Sequence, residues 1–411
     1  MSSSTTTSST HPQPLTRILA GGTQWLFACY GPDFIIVDLG KQEVVAATSP
    51  AQQAPETEEK DALSTEKKEE LTQVPLPSFP PSVRILSNRP TSLIQTLQYS
   101  PAKGLLVTVT EDKSLAVWDA SKDWSQVFTG TTAKRVNDML FSPDGSYLYI
   151  ADKFGDVYRL DTSTWSGLQD PFVGQVSMTT SLALTSSAQG VIIGDRDEKV
   201  RVCSTKRQGD ILGFCLGHTK YVSSVHSLTH GPLAGSFLSG GGDPFLLRWA
   251  SSPPYSCLER IPLPQDDSNE EEGEEEEGGV SRILSSQDDL IFVSNKSSSQ
   301  LYVFKALKDG GGCALQEILS LPTSIMDITE DPESASCLWI LLSPTPEAPS
   351  GKLFSLSLSE KESLSTPVAS SLLDDILYPT FVGRIEATDF HKHSSEAKDR
   401  KRLKTAKDST E

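Results

Sequence analysis

A strand–turn–strand unit, ending in Trp or another aromatic, recurs along this sequence about every 40 to 47 residues. That recurrence predicts an all-β, seven-bladed WD-repeat β-propeller, in which blades of four antiparallel strands stack in a ring and bury faces that one blade cannot bury alone. The units are rich in Val, Ile, Thr and aromatics and alternate with period two, which suits strands better than helices. Gly, Pro and Asp break them at short intervals, as hairpin turns require.

The first copy pairs Trp25-Leu26-Phe27-Ala28 with Phe34-Ile35-Ile36-Val37. Three clear copies follow, Leu105 to Asp119, Tyr147 to Leu160 and Val191 to Val202, and a fourth runs from Phe237 to Trp249. Weaker copies pair Leu290–Val293 with Leu301–Phe304 and Leu338–Leu341 with Leu353–Leu356, which brings the total to seven. From Trp118 to Tyr158 is 40 residues, from Tyr158 to Val202 is 44, and from Val202 to Trp249 is 47. Phe141-Ser142-Pro143-Asp144-Gly145 supplies a tight turn, and Gly217-His218 stands where a Gly-His pair opens a blade.

Two stretches lengthen the period, and both are acidic. Glu56 to Glu70 nets −4 and Asp266 to Glu277 nets −9, so together they carry most of the formal −18 of this 411-residue chain. Such Glu-rich segments cannot bury enough apolar surface to offset their ordering entropy, so disordered insertions are expected at about 50–81 and 264–279. Residues 1–14 are read as a disordered N-terminus, 15–385 as the propeller and 386–411 as a basic, disordered tail that nets +3 from Lys392 onward. No apolar run approaches the roughly 18 residues of a membrane span, the longest resembling Cys337–Leu342, so no membrane association is expected. Met1 to Thr10 lacks the basic and apolar regions of a secretory signal, and six scattered cysteines are expected to be reduced intracellular thiols.

Catalytic signatures are weak. No Cys or His pair has metal-ligand spacing, and Gly240-Gly241-Gly242 lies between two strands and does not open a helix as a phosphate loop would. His218, Ser239 and Asp243 have the residue types of a hydrolytic triad. With Trp249 they also have the types and positions of the hydrogen-bond network that ties a WD blade together, and they are assigned that structural role.

Four ordered motifs carry a family resemblance. Ala151-Asp152-Lys153-Phe154-Gly155-Asp156-Val157-Tyr158, Gly174-Gln175-Val176-Ser177-Met178, Asp195-Arg196-Asp197-Glu198-Lys199-Val200-Arg201-Val202 and Phe214-Cys215-Leu216-Gly217-His218-Thr219-Lys220-Tyr221 resemble the non-catalytic WD-repeat subunit of the tRNA 7-methylguanosine methyltransferase. Gln175, Pro244 and Ala250 depart from the pattern at blade turns. The resemblance implies a heterodimer in which a separate catalytic subunit binds S-adenosylmethionine and methylates a guanosine in the tRNA variable loop. This chain would bind no cofactor, reach tRNA through the complex and reside in the nucleus.

Strand alternation places Lys199 and Arg201 on one face, because residues two apart point the same way. The resemblance implies that basic residues of this motif contact the catalytic subunit, with Arg196 and Lys153 as neighbours of that contact. Lys220, and Lys401 and Arg402 in the tail, are candidate RNA contacts, and the tail is also a candidate nuclear import signal. The alternative is a general WD-repeat scaffold such as a ubiquitin-ligase substrate receptor, which Trp118-Asp119-Ala120-Ser121 disfavours because it lacks the Arg of a Trp-Asp-x-Arg blade end.

Overall fold

The computed structural model describes residues 15–21, 25–30, 33–38, 83–87, 92–174, 177–264, 279–308, 310–330, 337–345, 352–357 and 368–369. Residues 1–14, 50–81, 265–278 and 386–411, which hold the expected disordered termini and insertions, lie outside the described residues.

Seven antiparallel sheets follow one another along the chain. The first consists of β1 (Leu15–Gly21), β2 (Trp25–Tyr30), β3 (Asp33–Asp38) and β4 (Val83–Ser87). The second has β5 (Ile94–Ser100), β6 (Leu105–Thr110), β7 (Ser114–Asp119) and β8 (Ser125–Thr131). Next come β9 (Val136–Phe141), β10 (Tyr147–Asp152) and β11 (Val157–Asp161), then β12 (Thr179–Leu184), β13 (Gly190–Asp195), β14 (Lys199–Ser204) and β15 (Ile211–Leu216). The fifth sheet is β16 (Val222–Leu228), β17 (Ser236–Gly241), β18 (Phe245–Ala250) and β19 (Cys257–Pro262). The sixth is β20 (Val280–Ser285), β21 (Leu290–Asn295), β22 (Gln300–Ala306) and β23 (Cys313–Ser320). The last is β24 (Ile325–Glu330), β25 (Cys337–Leu342), β26 (Lys352–Ser357) and β27 (Val368–Ala369). Each sequence copy is the second and third strand of its sheet.

The expectation of a seven-bladed propeller is corrected: among the described residues six sheets are complete blades of four strands, whereas β9–β11 has three. After β11 the chain turns back at once, Asp161 N donating to Ser166 O at 3.0 Å and Trp165 N to Asp161 O at 2.7 Å. Among the described residues it meets the β11 edge again at Val157, which bridges to Val173 and accepts from Phe172 N at 2.8 Å. Gly167, with φ +115°, lies against the Arg159 carbonyl so closely that a Cβ there would stand 2.2 Å from the oxygen. A loop fitted this tightly takes the place of a fourth strand.

The core lies between neighbouring sheets. Val107, Val117 and Leu148 join β5–β8 to β9–β11. Tyr149, Phe172 and Ile193 join β9–β11 to β12–β15, and Val200, Phe237 and Trp249 join the latter to β16–β19. Each such fully buried side chain contributes about 1.5–3 kcal/mol relative to leaving it in water.

The seven innermost strands share a device. Each is bulged one residue from its start, at Thr16, Gln95, Asn137, Thr180, Ser223, Ser281 and Met326. A bulge re-aims its side chain. Asn137 Nδ2 donates to Thr179 O at 2.6 Å, Thr180 Oγ1 to Val222 O at 2.5 Å, and Ser223 Oγ to Val280 O, each reaching the next sheet. The residue after the bulge works in the opposite sense. Asp138 accepts from Leu182 N at 2.7 Å, Ser181 from Val225 N at 3.3 Å, and Asp327 from Ile18 N at 3.2 Å, the last bond spanning the seam between the final and first sheets. Arg282 and Asp327 add an ion pair at 3.2 Å.

Candidate functional site

On one side of the ring the second and third strands of neighbouring sheets are joined by turns that an aspartate pins. Asp152 Oδ1 accepts from Phe154 N at 2.7 Å and Asp156 N at 3.1 Å. Asp195 Oδ1 accepts from Asp197 N at 2.9 Å and Lys199 N at 3.0 Å, with Glu198 at φ +68° closing the turn. Burial lifts the Asp195 carboxyl above the usual carboxylate range, and the two N–H donors oppose that shift. The turns are also tied to the entering chain, Lys153 N donating to Arg135 O at 2.9 Å and Arg196 N to Met178 O at 3.0 Å. Lys153, Arg196 and Lys199 thus present exposed side chains from fixed backbone.

Beyond its turn, β14 has two unlike faces. Val200 and Val202 are buried against β16–β19, while Lys199, Arg201 and Cys203 face β9–β11, where Cys203 is buried near Phe172 and Val173. Arg201 Nη1 donates to Gly174 O at 3.1 Å, and its guanidinium carbon lies 5.2 Å from the centre of the Phe214 ring. Its Nε is buried with no hydrogen-bond partner. Among the described residues neither Lys199 nor Arg201 forms an ion pair.

Sequence reasoning missed the apolar neighbours of these cations. Register puts Leu216 opposite Lys199 and Phe214 opposite Arg201, and both are exposed although β15 is an outer strand. Phe154, on the pinned β10–β11 turn, is exposed as well, with Lys134 Nζ 4.0 Å and Lys153 Nζ 5.2 Å from its ring centre. The uninterrupted apolar run Ile211-Leu212-Gly213-Phe214-Cys215-Leu216, in a position where strands are usually polar on their outer face, was the available signal.

His218, Ser239, Asp243 and Trp249 come together in the β16–β19 sheet. His218 Nδ1 is 2.8 Å from Asp243 Oδ2 and its Nε2 is 2.7 Å from Ser239 Oγ, while Trp249 Nε1 donates to Ser239 Oγ at 2.8 Å. Bonds from Thr219 and Lys220 hold the Asp243 carboxyl below the usual range even against burial, and burial lowers the His218 imidazole. Asp243 is therefore ionised and His218 neutral, so Nδ1–H donates to Asp243 and Nε2 accepts from the Ser239 hydroxyl. The donors run one way, Trp249 to Ser239 to His218 to Asp243. Ser239 is fully buried, so no substrate reaches its hydroxyl.

Lys220 is exposed, with its N–H on Asp243 Oδ2 at 3.2 Å, while Lys401 and Arg402 lie outside the described residues. Among the described residues no three His, Cys, Asp or Glu side chains gather as metal ligands, and no helix is long and apolar enough to cross a membrane.

A family model for the tRNA methyltransferase TRM82 WD40 domain matches residues 38–170 and 165–352. The chain is 31% identical over 247 residues to a Danio rerio protein named tRNA (guanine-N(7)-)-methyltransferase non-catalytic subunit wdr4, a match covering 59% of this chain and 58% of that one. The Homo sapiens protein of the same description, WDR4, is 31% identical over 146 residues, covering 36% of this chain and 35% of that protein. The matched span is thus little more than half, or about a third, of these relatives' own length. Among solved structures, a chain of the mitotic checkpoint complex superposes with a TM-score of 0.59 at 10% identity, covering 83% of this chain and 91% of that one, which shows the propeller fold alone.

Proposed function

This chain belongs to the tRNA methyltransferase TRM82 WD40 domain family, and from that premise we propose that it is the non-catalytic subunit of a heterodimer that forms 7-methylguanosine in the tRNA variable loop. The observation that carries the site is the Lys199–Arg201 pair, which forms no ion pair among the described residues, on a strand whose backbone is pinned at Asp195. Two cations at fixed spacing steer an acidic partner surface into register, and desolvation on contact strengthens each pairing. Arg196 and Lys153 stand on neighbouring turns of the same side and extend the positive surface. The catalytic partner carries S-adenosylmethionine in this reading, tRNA is reached through the complex, and the complex acts in the nucleus. Lys220, Lys401 and Arg402 are assigned as supplementary contacts to RNA phosphate. We read the three-stranded β9–β11 sheet as a seventh, shortened blade, because β9 is bulged at Asn137 like the innermost strand of every other sheet. The family match fits this reading and not that of a ubiquitin-ligase receptor.

The test is Arg201→Glu, assayed by the affinity of the purified chain for the catalytic subunit. A like charge at a desolvated contact costs about 2–4 kcal/mol, so binding should weaken by roughly 30- to 1,000-fold while the urea midpoint stays put. Unchanged affinity would remove Arg201 from the interface and the proposal with it.

A further inference from the structure

The loop that stands in for a fourth strand beside β11 is tied to that strand at its two ends. Asp161 bridges to Ser166 at one end and Val157 to Val173 at the other. Between these ties residues 168–171 make no backbone hydrogen bond to β11 among the described residues. Gln208 Nε2, on the β14–β15 turn, donates to Pro171 O at 2.8 Å and holds the loop to the next sheet. A cavity of about 420 Å³ is left there, walled by Arg159, Trp165 and Phe172 and rimmed by Gln169, Asp170 and Gln208. Its volume and mixed lining are those of a ligand site. Both β11 and β14 begin at the aspartate-pinned turns and run away from them. The cavity, beside the turns after Asp161 and Ser204, therefore lies at the other end of the strands from Lys153, Arg196 and Lys199.

Arg159 is the cation of this cavity. The Phe172 and Tyr147 ring centres lie 4.1 and 4.7 Å from its guanidinium carbon, and its Nη1 donates to Thr205 O at 2.6 Å. Those contacts hold the group in one place. Among the described residues it forms no ion pair. With one N–H on Thr205 and the Tyr149 hydroxyl within reach, most of its five donors are left over. A fixed guanidinium takes a carboxylate through two parallel N–H···O bonds. The Trp165 indole is fixed as well, stacked on Phe128 at 5.2 Å.

We propose that the cavity binds an extended peptide segment of a second partner protein, one Asp or Glu of which pairs with Arg159 while an adjacent apolar side chain lies against Trp165. Gln169, Asp170 and Gln208 at the rim supply acceptors and amide donors, the complement of a peptide main chain. Nucleic acid fits less well, because Asp161 and Asp170 stand near Arg159 and repel a run of phosphates more than a single carboxylate. Since the cavity is apart from the pinned turns, this partner and the catalytic subunit are held at the same time.

The experiment selects binders of the full chain from an array of short randomised peptides and titrates the selected ones. They should share one Asp or Glu beside an apolar residue. Replacing that acid by its amide, or Arg159→Leu in the chain, should each weaken binding about tenfold or more, and the two changes together should do little more than either alone. Arg159 also braces the fold, so Gln169→Trp, which crowds the cavity mouth from an exposed position, is the second variant. It should abolish peptide binding while the urea midpoint and the affinity for the catalytic subunit stay as they are in the unaltered chain. Selection without a preference for a carboxylate, or peptide affinity indifferent to both Arg159→Leu and Gln169→Trp, overturns the proposal. So does binding of a single-stranded RNA oligonucleotide that Gln169→Trp abolishes while no peptide is selected. Loss of the catalytic subunit together with the peptide in Gln169→Trp would place both on one surface and overturn it too.

Discussion

Removing one oxygen atom from the middle of the β16–β19 sheet tests whether the buried network holds the blade together. Ser239→Ala changes almost no volume, so the cavity contribution is small, yet it strips two groups of their partner. Trp249 Nε1–H loses a 2.8 Å acceptor and His218 Nε2 a 2.7 Å donor. Ser239 has no exposed surface, so water does not replace it. An orphaned buried polar group costs about 1–3 kcal/mol, which gives about 2–6 kcal/mol for the pair, with the upper half expected because Asp243 polarises the whole donor chain. Urea unfolding of the isolated chain reads this as a lowered midpoint at unchanged slope. A second variant, Trp249→Phe, removes one of the orphans in advance, so Ser239→Ala should cost about 1–3 kcal/mol less in that background. A loss under about 1 kcal/mol, or additive effects of the two substitutions, would refute the network as a source of stability.

Two further tests concern protons and the tail. His226 is pushed down to about 4 by burial and by Arg282, so its neutral form favours the fold and stability falls as pH drops from 6.5 toward 4. Glu330 is pushed up to about 7 by burial, so its contribution runs the other way and stability falls as pH rises from 4.5 to 7. Glu330→Gln should therefore gain about 1–2 kcal/mol more over the unaltered chain at pH 7 than at pH 5, the partial exposure of the residue reducing the full value; parallel urea midpoints at the two pH values would contradict this. Deleting residues 392–411 should lower tRNA affinity of the complex and reduce the slope of its salt dependence, and unchanged binding at every salt concentration would take Lys401 and Arg402 out of the RNA contact.

The paired inner strands were legible because their apolar runs are nearly continuous and end in aromatics such as Trp118 and Trp249, which are core residues. Outer strands carry no such signal. β15, β19 and β23 are largely exposed, so the absence of a fourth strand after β11 left no mark that period counting could detect. The interval from Tyr158 to Val202 stays near the period because the 162–173 loop uses as many residues as a strand would. Alternation and resemblance proposed the cations of the candidate site, whereas Leu216 and Phe214 were passed over as ordinary strand residues. Exposed apolar residues also stand on the outer strands β19 (Leu258) and β23 (Leu315 and Ile318), so an apolar run in an outer strand is only a weak mark of a site. The bulge residues escaped notice for a related reason. Asn137-Asp138 and Ser223-Ser224 are polar pairs at strand starts, and only the ring brings their partners within reach.

Among the described residues the strands of each sheet follow one another in the chain, and the seam between β24–β27 and β1–β4 is bridged at Asp327 and Ile18 without a borrowed strand. Many ring-shaped proteins must wait for distant segments to meet before a blade is complete. In this chain each sheet can finish as soon as its own residues are available, so loop closure over hundreds of residues enters only once, at the seam. Such a topology leaves folding in the order of synthesis open to the chain, with β1–β4 formed before β24–β27 exists and the seam closed by docking two finished sheets.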